Sequence, residues 1–472
     1  MESLLPKQIF TERYELTGDL LKGDTVVDKI QLVLQLPSVN PGDIKGKIIG
    51  THEDAERLIN LMQGDSPYVE LKAKTNTEQQ ELISKRVVIH NLTRQYPRYP
   101  DGQKYVVADL ELDDLTIITR ISPSDLKERY LTFFLGGPGD IWLVYSTRGR
   151  SYTGEVENKI YNTGLDLGTV FPFEIKVTPR YFYDTLPPPN NYEVSTDILT
   201  LELKTNLDKD KLSDEDFIKI GKEIVDDLIL LASFLSKQWI FWYRYQFQDK
   251  ERIENYAKRG REHSTKDFDL DDSLVDTTKI REFLKAALGN FRKSKSEGFN
   301  LYMPLVYFIS GSEGRTVEEK FSKLFLSLEK IKDMFAIKEN LLENLPPDNF
   351  EKLKSKLSEI ITEEGLEKIT AGKIKMKLPE LNRPPLRTVL DVIFKRYDIP
   401  WDDLYPEGSD LSIVKTRNAL FHTSEDMDLT LLVKETERLK IVLARILLRM
   451  LGWEDISHSQ DRFTKEWLRA SK

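Results

Sequence analysis

The sequence has 472 residues, of which 40% are hydrophobic and 31% are charged, so it is long enough for two or three domains and too polar for a membrane protein. Its 69 lysines and arginines and 78 aspartates and glutamates give a net charge of -9, which excludes a general attraction to nucleic acid but permits a local basic site. The lack of cysteine excludes disulfides, thiolate metal sites and a cysteine nucleophile, and it fits a reducing cytoplasm.

The first two hundred residues favour β-structure. Residues 1–10 lack the charged and apolar pattern of a secretory signal, and one helix is predicted at 52–63. Runs rich in β-branched and aliphatic residues lie at 26–36, 86–89, 105–112 and 197–204. Turn-forming residues separate these runs at irregular intervals. We therefore expect a β-rich domain with a sandwich or barrel-like fold over residues 1–206.

The next segment, 207–299, is predicted to be a mixed connecting region. An acidic start at Ser213–Asp216 precedes apolar residues spaced three and four apart, which predicts an amphipathic helix over 217–235. The aromatic run 239–247 predicts a strand, and its rings are expected to form core rather than to stack on bases.

From residue 300 onward the spacing is helical, and we expect an α-helical bundle over 300–472. Apolar residues form one stripe between Phe321 and Phe335, and a second seam runs from Leu432 to Met450. That seam suits a bundle core, a dimer contact or both. The predicted fold class is thus α+β with several domains.

The most informative stretch is the predicted helix that contains Arg417, Asn418 and His422. On a helical wheel Arg417 falls in the middle of an apolar arc, and Asn418 and His422, four residues apart, lie at its edge. The arc consists of Leu411, Ile413, Val414, Leu420 and Phe421. A guanidinium in that place requires an anionic partner or an aqueous groove between packed subunits.

These residue types suit cleavage of a phosphodiester without a metal. Arginine grips phosphate oxygens in a bidentate manner, and histidine titrates near neutrality and can move a proton. Lys415, one turn away, is expected to contact RNA, and Glu329 is a candidate for supporting the site. The other histidines are scattered, so no metal site is predicted.

The six residues 417–422 resemble the catalytic signature of the HEPN superfamily: arginine, a polar residue, three further residues and histidine. The long helix expected after it, and the β-rich region before the helical one, resemble the ApeA-like HEPN proteins of bacterial anti-phage defence. The resemblance implies a cofactor-free, metal-independent endoribonuclease toxin that acts as a homodimer with a composite site. It also implies abortive infection as the outcome of RNA cleavage, and a β-rich region that senses a phage-derived trigger or gates activity.

Structural interpretations stand beside these functional ones. Arg417 could form a buried ion pair with Glu329 or Asp391, and Glu329 could be an ordinary solvated carboxylate. The glycine-rich segment 136–139 is interpreted as a tight turn, because no Gly-Lys-Ser/Thr follows it. Two other functions remain open: a non-catalytic HEPN scaffold that binds RNA or nucleotide, and a β-domain receptor whose helical half only dimerises.

Overall fold

The computed structural model describes residues 11–37, 42–63, 65–75, 79–95, 105–123, 126–138, 140–142, 149–150, 156–157, 165–185, 193–260, 273–365, 367–404, 412–422 and 428–457. The chain divides into two compact units, of which the first contains 1–226 and 240–268 and the second 227–239 and 269–472. The boundary predicted near 206 lies inside the first unit, and the boundary predicted near 299 lies inside the second.

The first unit is an antiparallel β-structure. Its strands are β1 Thr11–Lys22, β2 Thr25–Pro37, β3 Ile44–Thr51, β4 Tyr68–Thr75, β5 Gln80–Gln95, β6 Tyr105–Leu112, β7 Asp114–Arg120, β8 Arg129–Gly136, β9 Gly149–Arg150, β10 Val156–Glu157, β11 Leu165–Val170, β12 Phe173–Thr185, β13 Glu193–Thr205, β14 Phe241–Gln248 and β15 Arg252–Lys258. Two helices begin in this unit: α1 spans Asp54–Met62 and α2 spans Asp214–Ser236.

Six of the strands form a closed antiparallel ring. The order is β5, β4, β1, β2, β3 and β6, and β6 pairs back onto β5. Side chains alternate across a strand, so every second residue points into the ring. Leu20, Leu34 and Leu71 are fully buried there, and Leu58 of α1 belongs to the same apolar cluster. This ring and its helix confirm the β-rich N-terminal region predicted from the sequence.

The remaining long strands extend from the ring as an open sheet. Residues 80–83 at the start of β5 pair with β7, and the order continues as β15, β14, β8, β13, β12 and β11. Phe217 of α2 contacts Phe173 and Phe247, with ring centroids 5.2 and 5.6 Å apart. In the aromatic strand β14, Trp242, Tyr245 and Phe247 are buried, which agrees with their interpretation as core.

The second unit is helical. Besides the end of α2, its helices are α3 Ile280–Ser296, α4 Tyr302–Glu313, α5 Val317–Lys338, α6 Pro347–Glu363, α7 Lys368–Lys377, α8 Leu386–Arg396, α9 Ser412–His422 and α10 Leu429–Met450. Helix α5 begins after Thr316, whose side chain accepts a hydrogen bond from the Glu319 amide at 3.2 Å. The confirmed class is therefore α+β, with a β-rich part followed by a helical part.

Helices α4, α5, α9 and α10 pack together, and α5 contacts each of the other three. The predicted α5 stripe is buried from Phe321 to Phe335, and the predicted α10 seam is buried at Leu432, Leu439 and Leu443. The α10 seam therefore serves as core within a single chain. Within the ranges described above, no helix combines the length and apolar character needed to cross a membrane.

Candidate functional site

Helix α9, which contains the Arg417–His422 motif, packs against α5 and α10. Among the α9 side chains that the structure describes, at 413–420, the buried ones are Ile413 and Thr416, which are 2% and 4% exposed. Arg417 is half-buried, whereas Asn418 is exposed. The buried face of α9 is therefore centred on Ile413 and Thr416. The Arg417 guanidinium lies at the border of this face, and not in its middle as the helical wheel predicts.

The contacts of Arg417 include one aromatic ring and one side-chain amide. The Cζ atom of Arg417 lies 5.8 Å from the centroid of the Phe325 ring. Its Nη1 donates a hydrogen bond to Oδ1 of Asn418 at 3.1 Å. A cation over an aromatic face is attracted by the ring quadrupole, by about 0.5–1 kcal/mol at exposed sites. The guanidinium is thus oriented from two sides.

Phe325 itself is rigidly placed. It belongs to α5, is 5% exposed, and stacks on Phe321 with centroids 6.1 Å apart and an interplanar angle of 18°. The surface on which Arg417 rests is therefore part of the core of the helical unit. Phe325 is the site residue that sequence reasoning missed, because it was assigned only to the apolar stripe of a different helix.

His422 is the last residue of α9, and its side chain lies outside the described residues, as do 405–411 and 423–427. Along an α-helix, positions 418 and 422 are about 40° apart around the axis and about 6 Å apart along it. Positions 417 and 422 are about 140° apart. The backbone therefore places Asn418 and His422 on one side of α9 and directs Arg417 elsewhere.

The remaining candidates are distributed around this helix. Lys415 is exposed on α9, two residues before Arg417. Glu329 is half-buried on α5, one turn beyond Phe325, and its supporting role stays a prediction. Asp391, one of the two suggested ion-pair partners of Arg417, instead pairs with Arg387 of α8 at 2.8 Å on an exposed surface.

The first unit contains a second cluster of charged and aromatic groups that the sequence did not indicate. Nζ of Lys258 lies 3.6 Å from the centroid of the Trp242 ring, and Nζ of Lys222 lies 4.5 Å from that of Tyr245. Burial lowers the pKa of both lysines, and burial raises the pKa of the Tyr245 hydroxyl, which donates to Glu254 at 3.0 Å. These contacts join α2, β14 and β15.

In the described parts of the two units, no group of three or more histidine, aspartate or glutamate side chains is placed to hold a metal ion. No family model, curated protein or solved structure matches the chain. The likeness to HEPN proteins therefore depends on residues 417–422 and on their place in a helical unit, and it stays a hypothesis.

Proposed function

We propose that the protein is a metal-independent HEPN endoribonuclease that acts as a homodimer in anti-phage defence. The observation that supports this most is the placement of Arg417. Its guanidinium lies at the border of the helical unit, oriented by Phe325 and Asn418, on the same helix as His422. A half-buried, oriented guanidinium on a motif helix is suited to bind a phosphate that approaches from solvent.

In this proposal Arg417, Asn418 and His422 are the catalytic residues. Arg417 binds the non-bridging oxygens of the scissile phosphate and stabilises the charge that develops on them. The 2′-oxygen attacks phosphorus, the P–O5′ bond breaks, and a 2′,3′-cyclic phosphate forms. His422 takes the proton from the 2′-hydroxyl or gives one to O5′, water accepts or supplies the other proton, and Asn418 orients Arg417. No cofactor takes part in this scheme.

The HEPN resemblance implies a dimer with a composite site, and the geometry of α9 is compatible with it. Because Arg417 and His422 are about 140° apart around α9, a single straight helix does not direct both side chains at one phosphate. Two α9 helices that face each other can supply arginine from one chain and histidine from the other. The composite site thus explains an arginine and a histidine five residues apart better than a site built in one chain.

RNA binding outside the catalytic centre is assigned to Lys415. An exposed lysine contributes mainly a salt-dependent contact with the RNA backbone. Such cleavage takes place in the cytoplasm, and we assign sensing of a phage-derived trigger to the β-rich unit. In infected cells, we expect Arg417→Ala to abolish protection, measured as plaque formation.

The decisive experiment incubates RNA with purified protein in EDTA. We expect cleavage by the natural chain and a loss of at least about a hundredfold in Arg417→Ala and in His422→Ala. Arg417→Lys keeps the charge but loses the planar fork and is expected to be nearly as impaired. Arg387→Ala, which removes a half-buried arginine of α8 that pairs with Asp391 and lies over the Trp401 ring, is the control and is expected to cleave normally.

Two results would reject the proposal. Equal cleavage by the natural chain and both alanine variants would mean that the activity comes from another site. RNA binding without cleavage in the natural chain, weakened by Arg417→Ala, would instead support the non-catalytic scaffold.

A further inference from the structure

A cavity of about 740 Å³ lies on the outer face of the closed ring, beside strands β1, β4 and β5. Leu20, Leu71 and Leu82 point into the ring, so the residues next to them along each strand point outward. Small-molecule sites have volumes of about 300–1,000 Å³, so the cavity is of the size that takes a nucleotide. The outward-facing polar residues that line it are Thr17, Asp19, Lys72, Lys74 and Glu81.

The lining of the cavity contains more positive than negative charge. Three lysines, Lys29, Lys72 and Lys74, stand beside two carboxylates. Asp19 accepts a hydrogen bond from the Lys29 backbone amide at 2.9 Å, and Glu81 lies 3.8 Å from Nζ of Lys74. Among the residues that the structure describes, the ammonium groups of Lys29 and Lys72 have no hydrogen bond and no ion pair. Two cations are therefore available to an anion that enters the cavity.

Lys29 has a backbone conformation that lysine rarely adopts. The register of β1 against β2 shifts between Gly18 and Leu20, so two residues of β2, 28 and 29, face the single residue Asp19. This is a β-bulge, and bulges re-aim side chains next to functional sites. The φ of Lys29 is +55°, in the left-handed region, where glycine is the usual residue. Because the Lys29 side chain is exposed, packing does not explain this strain, and strained residues of this kind cluster at ligand sites.

We propose that this cavity binds a small phosphorylated molecule of nucleotide size, with its phosphate group held by Lys29 and Lys72. Each lysine offers three N–H donors and a full positive charge, which suits a phosphate group. The apolar part of the lining, which includes Leu82 and Ile83, packs against the remainder of the ligand.

A small molecule fits this cavity better than an RNA strand. An RNA backbone binds to a series of basic groups along its path, and the carboxylates Asp19 and Glu81 interrupt such a series here. A single phosphate group instead matches the two unpaired lysines. The cavity lies in the unit to which we assign sensing of a trigger, but the inference does not rest on the proposed nuclease, because its residues all lie outside the helical unit.

The test titrates the full chain with AMP, GMP, CMP and UMP, one at a time, by isothermal titration calorimetry in low-salt buffer. We expect at least one of these nucleotides to bind. The matching nucleoside, which lacks the phosphate, should bind at least about tenfold more weakly. Inorganic phosphate should compete with the nucleotide, and added salt should weaken binding because it screens partly exposed charges.

Two variants remove the proposed phosphate ligands one at a time. Lys72→Gln and Lys29→Asn should each weaken nucleotide binding at least about tenfold. Lys45→Gln removes an exposed lysine from β3 of the same ring and should have no effect. Lys29→Asn has a second readout, because asparagine tolerates the left-handed region better than lysine does. Its melting temperature should equal or exceed that of the natural chain, which separates a role in binding from a role in folding.

Several results would overturn the inference. These are a natural chain that binds none of the four nucleotides, lysine variants that bind as the natural chain does, and a Lys29→Asn variant that melts below the natural chain. Binding of single-stranded RNA that the same variants weaken, without binding of mononucleotides, would assign the surface to RNA instead. Arg417→Ala should bind nucleotide normally, so failure of the nuclease proposal and failure of this inference are separate outcomes.

Discussion

The ion pair between Arg445 and Asp403 provides the sharpest test of the packing around α9. Arg445 lies on α10 and is 3% exposed. Its Nη1 and Nη2 donate to the two carboxylate oxygens of Asp403 at 2.8 and 2.6 Å, and Nη1 also donates to the Pro400 carbonyl. Residues 400–404 are the last described residues before α9. The pair therefore joins the helix after the motif to the segment before it.

Replacing Asp403 by alanine leaves the Arg445 guanidinium buried without its carboxylate. Breaking a buried pair in this way costs about 3–5 kcal/mol, because the remaining charge keeps its desolvation cost. The Pro400 carbonyl still accepts one hydrogen bond, so we expect a value near the lower limit, about 3 kcal/mol. Asp391→Ala is the matched control: its pair with Arg387 is exposed, and its loss should cost about 0.2–1 kcal/mol.

Urea unfolding followed by circular dichroism measures both values. The double variant Asp403→Ala/Arg445→Met removes the buried charge as well and should regain much of the lost stability. If Asp403→Ala costs no more than Asp391→Ala, or if the double variant is less stable than Asp403→Ala alone, the reasoning about a desolvated guanidinium is wrong.

Three further changes test other parts of the molecule. Gly311→Ala should destabilise the protein by about 1–3 kcal/mol, because the added Cβ would lie 2.8 Å from a leucine of α5. Gly289→Ala, where the added Cβ meets open space, should stabilise the protein by about 0.5–1 kcal/mol in the same urea assay. Equal effects of the two substitutions would contradict the close approach of α4 and α5. Leu443→Ala should cost about 2–5 kcal/mol, since this side chain is fully buried, and a cost below 1 kcal/mol would contradict its place in the core. The hydrogen bond from Lys279 holds the pKa of Asp455 well below its usual 3.8. The natural chain should therefore be more stable than Asp455→Asn at neutral pH, and this difference in unfolding free energy should shrink as the pH falls below 3.8. A difference that grows on acidification would contradict the lowered pKa.

The helical elements were predictable because their pattern is local. The α5 stripe from Phe321 to Phe335 and the α10 seam from Leu432 to Leu443 follow the 3.6-residue period of an isolated helix, and both are buried. The closed ring was less accessible to prediction. It depends on the pairing of β6 with both β3 and β5, and strand composition does not specify a partner.

The geometry of the candidate site was also not predictable from the sequence, because it depends on contacts between elements. A helical wheel places Arg417 among apolar residues because it considers residue type alone. Among the described residues α9 packs against α5 and α10, and its buried face there follows Ile413 and Thr416. The contact of Arg417 with Phe325 joins two helices, and no periodicity within either helix contains that information.

The spacing of the motif gives one more prediction, which concerns how two chains share a site. If arginine from one chain and histidine from the other act on the same phosphate, each single variant, Arg417→Ala or His422→Ala, lacks an intact pair. A mixed dimer of the two variants contains one intact pair across the interface, formed by Arg417 of the His422→Ala chain and His422 of the Arg417→Ala chain.

Mixing the two inactive variants should therefore restore measurable RNA cleavage, and each mixed dimer should reach up to about half the activity of a natural dimer because it contains one intact pair instead of two. If arginine and histidine of the same chain act together, the mixed dimer contains no intact pair, and cleavage should stay at the level of the single variants. Co-purification of differently tagged chains establishes that mixed dimers are present in the assay. Mixed dimers without cleavage, alongside an active natural chain, would refute the composite site and require α9 to bring both side chains to one phosphate within a single subunit.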